Sequence, residues 1–278
     1  MVAVGAALTA ALLPLASRAE DAALPEALPS GSVSCGAANR GALYGGAAVP
    51  EAGPGFVTPE PWRERGARFG TDELVSLITR SAASVARRHP GGLLAVADLS
   101  RPAGGPAVHH RSHQSGRDVD LVYYAIDRAG DPFAPDQHMA AYRDDGRATS
   151  AESPEAAAHI DERFFDLARN WALVESLATD ADVRVERVFV SEKVRGWLLA
   201  YAAATGVSEP VIARVRSVLG HPTDSTAHHD HMHVRIACSA EDAALGRCSD
   251  ELAARRRSSK HRARVICVEP TAPAAAPR

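Results

Sequence analysis

The 278-residue sequence is poor in aromatic residues, which make up 5% of the chain, and it contains only four cysteines. No two cysteines are spaced as C-x-x-C, which disfavours a zinc site built from cysteine pairs. The sequence has no phosphate-binding G-x-x-x-x-G-K-[ST] loop, no dinucleotide-binding G-x-G-x-x-G and no helical H-E-x-x-H zinc motif. The formal net charge of −3 gives no reason to expect nucleic acid as a partner. What remains is the composition of an ordinary soluble globular protein, 46% hydrophobic and 23% charged.

The N-terminal residues predict an export signal. Residues 2–16 carry no charge, and Ser17-Arg18-Ala19 is a small-x-small sequence suited to cleavage before Glu20. An uncleaved anchor is the alternative, but the uncharged stretch is shorter than the roughly 20 apolar residues of a membrane span. We therefore predict a signal peptide over residues 1–19, a periplasmic location and no transmembrane span after cleavage.

The mature chain is predicted to hold one domain over residues 35–267, with disordered segments at 20–34 and 268–278. An oxidising compartment favours disulfides, and four cysteines allow three pairings. In one of them, Cys238–Cys248 would close a short loop and Cys35–Cys267 would join the two ends of the domain.

Hydrophobic periodicity divides this domain into helices and strands. Helices are predicted from Thr71, a suitable N-cap, to Pro90, and at residues 160–177, 191–206 and 208–220. Strands are predicted at residues 93–99, 119–125, 183–190 and 231–238. The polar residues 127–153, interrupted by prolines and a glycine, are predicted to form a long loop of the kind that often binds a ligand.

The distribution of histidines is the most informative feature of the sequence. Four of the twelve lie between residues 228 and 233, and three more are His109, His110 and His113. His231 and His233 stand two residues apart at the start of a predicted strand, so both side chains project from the same face. Because imidazoles and a carboxylate such as Asp120 suit Zn²⁺, we expect the two clusters to form one zinc site.

The number of ligands separates a structural site from a catalytic one. If His113, Asp120, His231 and His233 all bound the ion, the site would be closed and structural. If three bind, the open position holds a water whose pKa falls towards about 7, and the spare histidine can act as general base. Spacing alone does not decide between His231 and His233 for that role.

Two motifs carry a resemblance to a known family. They are S-H-Q-S-G-R-D-V-D at residues 112–120 and H-M-H-V-R at residues 231–235, and L-S-R-P at 99–102 and G-G-P at 104–106 also match. Over about residues 35–267 the sequence resembles the penicillin-insensitive murein endopeptidases. That family is related to the lysostaphin-type and D-Ala-D-Ala metallopeptidases and to the hedgehog signalling domain. The pair of motifs in this order is a specific signal.

The resemblance implies an α+β fold in which helices flank a small antiparallel sheet that carries the zinc site. It implies that His113, Asp120 and His233 bind Zn²⁺, and that His110 matches a further family histidine that can approach the metal. His231 is the implied general base, and His228 is implied to steady the negative charge of the transition state. The implied substrate is the D-alanyl–diaminopimelyl cross-link of peptidoglycan.

Several alternatives stay open at this stage. His229 and Asp230 add candidate ligands, so a shift of the second motif by one histidine is an alternative. Asp118 is the strongest rival as a carboxylate ligand, but we expect it to accept a hydrogen bond from a ligand imidazole. Arg101 and Arg235 could bind a substrate carboxylate or make structural salt bridges.

Two other functions compete with a peptidoglycan endopeptidase. One is a zinc DD-carboxypeptidase or dipeptidase acting on D-Ala-D-Ala, and the other is a non-catalytic zinc-bearing domain that only binds peptidoglycan. A spare imidazole at His231 favours catalysis, because a purely structural site does not need one.

Overall fold

The computed structural model describes residues 31–135, 139–149, 162–221 and 228–250. The predicted signal peptide, the tail at residues 268–278 and Cys267 lie outside these residues. Within the described part of the chain, no helix is long and apolar enough to cross a membrane.

The described residues mix short helices with small sheets, which confirms the predicted α+β class. The helices are α1 (Glu60–Glu64), α2 (Asp72–Arg88), α3 (Leu167–Ala178), α4 (Glu192–Ala204), α5 (Glu209–Val218) and α6 (Ala240–Ala244). The strands are β1 (Val33–Ala37), β2 (Arg40–Tyr44), β3 (Ala47–Ala48), β4 (Ala52–Gly53), β5 (Phe56–Val57), β6 (Phe69–Gly70), β7 (Leu94–Ala95), β8 (Asp118–Val122), β9 (Ala125–Ile126), β10 (Ala141–Tyr142), β11 (Ala148–Thr149), β12 (Phe164–Phe165), β13 (Val185–Phe189), β14 (Leu219–Gly220) and β15 (His231–Ile236).

A four-stranded sheet in the order β14-β13-β15-β8 lies at the centre of the fold. β15 is antiparallel to both of its neighbours, whereas β14 runs parallel to β13. Met232, Val234 and Ile236 of β15 are buried in the hydrophobic core. Because side chains alternate along a strand, His231 and His233 project from the other face of the sheet. One face of β15 is therefore left for polar chemistry.

The helices α2 and α4 begin where the sequence supplies a side-chain cap. Thr71 accepts a hydrogen bond from the Leu74 amide at the start of α2, and Ser191 accepts one from the Val194 amide at the start of α4. Both residues are the predicted start positions. α3 then packs against α2, α4 and α5, so these four helices pack together around α3.

The predicted helix at residues 160–177 is wrong over its first part. Phe164 and Phe165 form β12, which pairs with β9, and α3 begins only at Leu167. Asp166 ends the strand and caps the helix by accepting a hydrogen bond of 3.0 Å from the Arg169 amide. The apolar spacing continues through Phe164, so periodicity alone does not reveal a strand that forms by long-range pairing.

The predicted loop at residues 127–153 contains a hairpin that the prediction missed. β10 and β11 pair antiparallel, and Gly146 between them has φ +79°, a backbone conformation that favours glycine. The Asp145-Gly146 dipeptide between β-forming residues was the available turn signal. Residues 136–138 and 150–161 lie outside the described residues.

Two further boundaries differ from the predictions. β1 begins at Val33, two residues before the predicted start of the domain, and forms a hairpin with β2. The predicted strand at residues 93–99 is regular only in β7, and its continuation runs along the outer edge of β8. There the Ala97 amide donates to the Asp120 carbonyl and the Asp120 amide donates to the Asp98 carbonyl, both at 2.9 Å.

The Cys238–Cys248 disulfide, part of one of the three pairings that the sequence allows, is present, with 5.9 Å between the two Cα atoms. Cys35 is also disulfide-bonded. In that pairing its partner is Cys267, which lies outside the described residues.

Candidate metal centre

The register of β15 against β8 brings two candidate ligands face to face. His233 pairs with Asp120, and one step along the same face Arg235 pairs with Asp118. Directly opposed residues on antiparallel strands have Cβ atoms about 4.5–5.5 Å apart. The Nδ1 atom of His233 lies 3.1 Å from Oδ1 of Asp120. Strand pairing therefore assembles half of the site.

His113 reaches the same place from the loop before β8. Its backbone has φ +62°, unusual for a residue other than glycine, and its amide lies 3.3 Å from Oδ2 of Asp118 as a hydrogen-bond donor. Nδ1 of the fully buried ring contacts the Leu99 carbonyl at 3.0 Å. A carbonyl can only accept, so Nδ1 carries the proton and the lone pair is on Nε2.

Three donor atoms converge with the spacing of a zinc coordination shell. Nε2 of His113 is 3.3 Å from Oδ1 of Asp120 and 3.3 Å from Nδ1 of His233, and the third edge is 3.1 Å. A tetrahedral shell with metal–ligand distances of about 2.0–2.1 Å has ligand–ligand edges of about 3.3–3.4 Å. The three donor–donor distances therefore match the edges of one triangular face of such a tetrahedron within a few tenths of an ångström.

The carboxylate of Asp120 also behaves as a ligand would. It is 2% exposed, and its Oδ1 atom accepts no well-aligned hydrogen bond from the described residues although three imidazole nitrogens lie within 3.7 Å. Burial alone would raise the pKa of Asp120, but the neighbouring rings of His113 and His231 hold it well below its usual value. A buried carboxylate with an orphaned oxygen among imidazoles fits a bound cation.

Asp118 lies behind this triangle. Its Oδ1 accepts hydrogen bonds from Nε2 of His233 at 2.8 Å and from Nε of Arg235 at 2.7 Å. Burial alone would raise the pKa of Asp118, but the positive charge of Arg235 and the hydrogen bond from His233 hold it far below its ordinary range. Asp118 therefore accepts a hydrogen bond from a candidate ligand imidazole, as predicted, and presents Nδ1 of that ring to the site.

The two carboxylates also act on His233. Burial lowers the pKa of this imidazole, but its contacts with Asp118 and Asp120 outweigh burial and raise the pKa to about 9. A proton and a metal ion compete for Nδ1, because both place positive charge beside Asp120.

His110 approaches Asp120 from a different side. Nε2 of His110 donates to Oδ2 of Asp98 at 2.9 Å, while Nδ1 lies 3.6 Å from Oδ2 of Asp120. The ring centroids of His110 and His113 are 4.2 Å apart. Ligand atoms of His110, His113 and Asp120 lie within 4.8 Å of one another, so this trio can also hold a metal ion.

His231 combines an anchored nitrogen with one that faces the triangle. Nδ1 donates to Oδ1 of Asp230 at 2.8 Å, and Nε2 lies 3.7 Å from Oδ1 of Asp120. Burial lowers the pKa of His231, but the charge of Asp120 and the hydrogen bond with Asp230 outweigh it and raise the pKa. The described site thus contains a basic imidazole beside the three converging donor atoms.

His228 completes the cluster of rings. It is buried, its ring centroid is 4.9 Å from that of His231 and 5.6 Å from that of His233, and it stacks on Phe189 at 6.1 Å. Four of the five histidines predicted for the site therefore lie near the Asp120 carboxylate. The fifth, His228, contacts the rings of two of them.

Other candidates from the sequence lie apart or have another role. His229 is exposed, and Asp230 holds His231. Arg235 is buried and paired with Asp118, which is the structural alternative considered for it, whereas Arg101 is exposed.

Sequence reasoning missed two supporting acidic groups and a carbonyl. Asp98 holds His110, Asp230 holds His231 and the Leu99 carbonyl holds His113. Asp230 was considered only as a ligand, although its place next to His231 was a signal for this contact. Asp98 and Leu99 gave no local signal, because their contacts depend on the edge of β8.

Comparison with known proteins identifies the family. The sequence matches the profile described as penicillin-insensitive murein endopeptidase over residues 34–259. Similar proteins of that name occur in Klebsiella pneumoniae (27% identical over 212 residues, 74% of this chain and 67% of the relative) and Haemophilus influenzae (27% over 209 residues, 74% and 64%). The protein of that name from Escherichia coli O157:H7 is 26% identical over 237 residues, 82% of this chain and 76% of the relative. Because the profile covers most of its length, the chain belongs to the penicillin-insensitive murein endopeptidase family.

Proposed function

We propose that this protein is a zinc-dependent endopeptidase that hydrolyses D-alanyl–diaminopimelyl cross-links of peptidoglycan in the periplasm. The observation that carries the proposal is the triangle of donor atoms formed by His113, Asp120 and His233, with edges of 3.1–3.3 Å. Membership of the murein endopeptidase family and the names of its relatives support the choice of substrate.

His113, Asp120 and His233 are the residues that we assign as metal ligands. Imidazole nitrogen and carboxylate oxygen suit Zn²⁺, and three protein ligands leave a coordination position open. When bound, zinc supplies a water of lowered pKa and a positive charge beside the scissile carbonyl. We treat His110 as a neighbour of the site, since its shortest contact with Asp120 is 3.6 Å and involves the other carboxylate oxygen.

His231 is the residue that we assign as general base. Its Nε2 atom faces the triangle. The hydrogen bond from Nδ1 to Asp230 makes Nε2 a better proton acceptor. His228 is in ring contact with His231, and we assign to it the stabilisation of the negative charge that develops in the transition state.

Digestion of purified cross-linked muropeptides, followed by mass spectrometry, tests this proposal. We expect dimers to be converted to monomers, and we expect a chelator to stop the reaction and added zinc to restore it. His231→Ala should abolish turnover while keeping its zinc. His229→Ala is the matched control, because that histidine is exposed and we expect it to retain activity.

The same assay separates the alternatives. Release of only the terminal D-alanine would replace the endopeptidase with a DD-carboxypeptidase. Intact dimers together with bound zinc would replace it with a non-catalytic peptidoglycan-binding domain.

A further inference from the structure

The backbone of His228 is held in an unusual conformation. Among the described residues other than glycine, only His113 and His228 have positive φ, and the value for His228 is +48°. Such a conformation persists only where surrounding contacts enforce it, and it is concentrated at functional sites. The contacts that hold His228 therefore decide where its imidazole lies.

Two donors hold the carbonyl of His228. The hydroxyl of Tyr123 donates to it at 3.1 Å, and the amide of Ser191 donates to it at 3.2 Å. The Ser191 side chain caps α4, so one donor is fixed by a helix start. The other donor, the Tyr123 hydroxyl, belongs to the segment that directly follows β8.

The ring of Tyr123 is itself immobilised. It is 4% exposed and contacts Phe165 at 5.2 Å and Tyr142 at 6.2 Å between ring centroids, both edge to face. Phe165 in turn contacts Trp197 at 5.4 Å. The hydroxyl thus projects from a rigid aromatic cluster towards the histidine site.

We infer that Tyr123 is a positioning residue whose hydroxyl sets the place of the His228 imidazole beside His231. The inference rests on the proposed function for the role of His228, but the contact itself does not. Tyr123 touches neither the substrate nor the candidate ligands in this scheme. It acts through the backbone of His228.

Tyr123→Phe removes the hydroxyl and keeps the ring, so the aromatic packing stays. We expect kcat for muropeptide cleavage to fall about twofold to tenfold, the range of one lost neutral hydrogen bond, with KM and zinc content unchanged. Tyr124→Phe is the matched control. Tyr124 is equally buried, and its hydroxyl makes no hydrogen bond with the described residues, so we expect its kcat to match wild type. Thermal unfolding of both variants checks that each is folded at the assay temperature.

A double-mutant cycle distinguishes positioning from general damage. If Tyr123 acts through His228, Tyr123→Phe should have no further effect on kcat when His228→Ala is already present. Independent, multiplicative losses in the double variant would overturn the inference. An unchanged kcat in Tyr123→Phe alone would do the same.

A measurement that needs no turnover tests the contact directly. The ring Cε1–H resonance of His228, identified by its loss in His228→Ala, should shift in Tyr123→Phe and stay in place in Tyr124→Phe, at one fixed pH. An identical His228 resonance in all Tyr variants overturns the inference even if the enzyme is active. If wild-type protein cleaves no muropeptide, the proposed function fails, whereas this resonance still decides whether Tyr123 positions His228.

Discussion

Asp118 accepts a hydrogen bond of 2.8 Å from Nε2 of His233, the nitrogen that points away from the candidate metal centre. The same carboxylate accepts from Nε of Arg235, and the amide of His113 lies 3.3 Å from its second oxygen. One buried side chain therefore orients two of the three candidate ligands. Its charge is balanced by Arg235, which explains how a fully buried carboxylate is tolerated there.

Asp118→Asn tests that relationship. The amide keeps the shape but loses the charge that fixes the orientation of the His233 ring, so we expect zinc affinity to fall about 10–100-fold. Competition with a chromophoric chelator measures the change. Asp242→Asn is the control, because Asp242 is also buried but accepts its hydrogen bond from the Ser34 amide. Equal zinc affinities in both variants would show that Asp118 does not support the site.

Single alanine substitutions should separate ligands from the other histidines. His233→Ala removes a corner of the triangle and should lose zinc and activity together. His231→Ala should retain close to one zinc per chain and lose activity, while His110→Ala should retain zinc. Metal content of purified protein, measured by atomic spectroscopy, provides the readout. A zinc-free His231→Ala would move that residue from base to ligand.

The helix starts and the strand β15 could be predicted because short stretches of sequence, N-caps and alternating apolar residues, indicate them. Thr71 and Ser191 are caps next to apolar repeats, and the alternation of Met232, Val234 and Ile236 with His231 and His233 marks a strand with one polar face. Phe164 and Phe165 were misassigned because a strand formed by pairing with β9 has no local mark.

In the candidate site, too, some features follow from the local sequence and others depend on long-range contacts. His231 and His233 share a strand face, which spacing predicts, and the motif order suggested His113 and Asp120 as partners. The register that places His233 opposite Asp120 is a long-range property. The same holds for Asp98 and Tyr123, whose partners lie 12 and 105 residues away in the chain.

Removing the Cys238–Cys248 disulfide should destabilise the protein, because it loosens the segment that contacts Arg117, the residue before β8. On the chain-entropy model, a loop of this length contributes about 3 kcal/mol, which corresponds to a lower Tm by roughly 6–12 °C. The disulfide also holds the segment Cys238–Asp250, in which Asp250 accepts hydrogen bonds from the Cys238 amide and from Arg117. Differential scanning calorimetry of the Cys238→Ser, Cys248→Ser double variant measures the loss.

Reductant added to that double variant isolates the contribution of the Cys35 disulfide. A Tm for the double variant equal to that of oxidised wild type would show that the Asp250 contacts alone hold this segment.

The pair formed by Asp180 and Arg80 should make stability depend on pH. Arg80 binds Asp180 through two nitrogens at 2.8 and 3.0 Å, and the amides of Asp182 and Val183 donate to the same carboxylate. Burial alone would raise the pKa of Asp180, but these hydrogen bonds outweigh it and lower the pKa. The pair joins α2 to the turn before β13.

A carboxyl whose pKa is lower in the folded state stabilises the protein above its unfolded-state pKa of about 3.9, and the contribution disappears as the pH falls through the folded-state value. Because the Arg80 side chain is 41% exposed, solvent screens the pair, and we expect Asp180→Asn to cost about 0.5–1 kcal/mol at pH 7. The difference from wild type should shrink below about pH 4. Asp182→Asn is the control, since that side chain is 74% exposed and 3.6 Å from Arg80, and it should unfold like wild type throughout. Urea unfolding of the three proteins from pH 3 to pH 7 gives the comparison, and a constant difference for Asp180→Asn across that range would assign its effect to packing instead of charge.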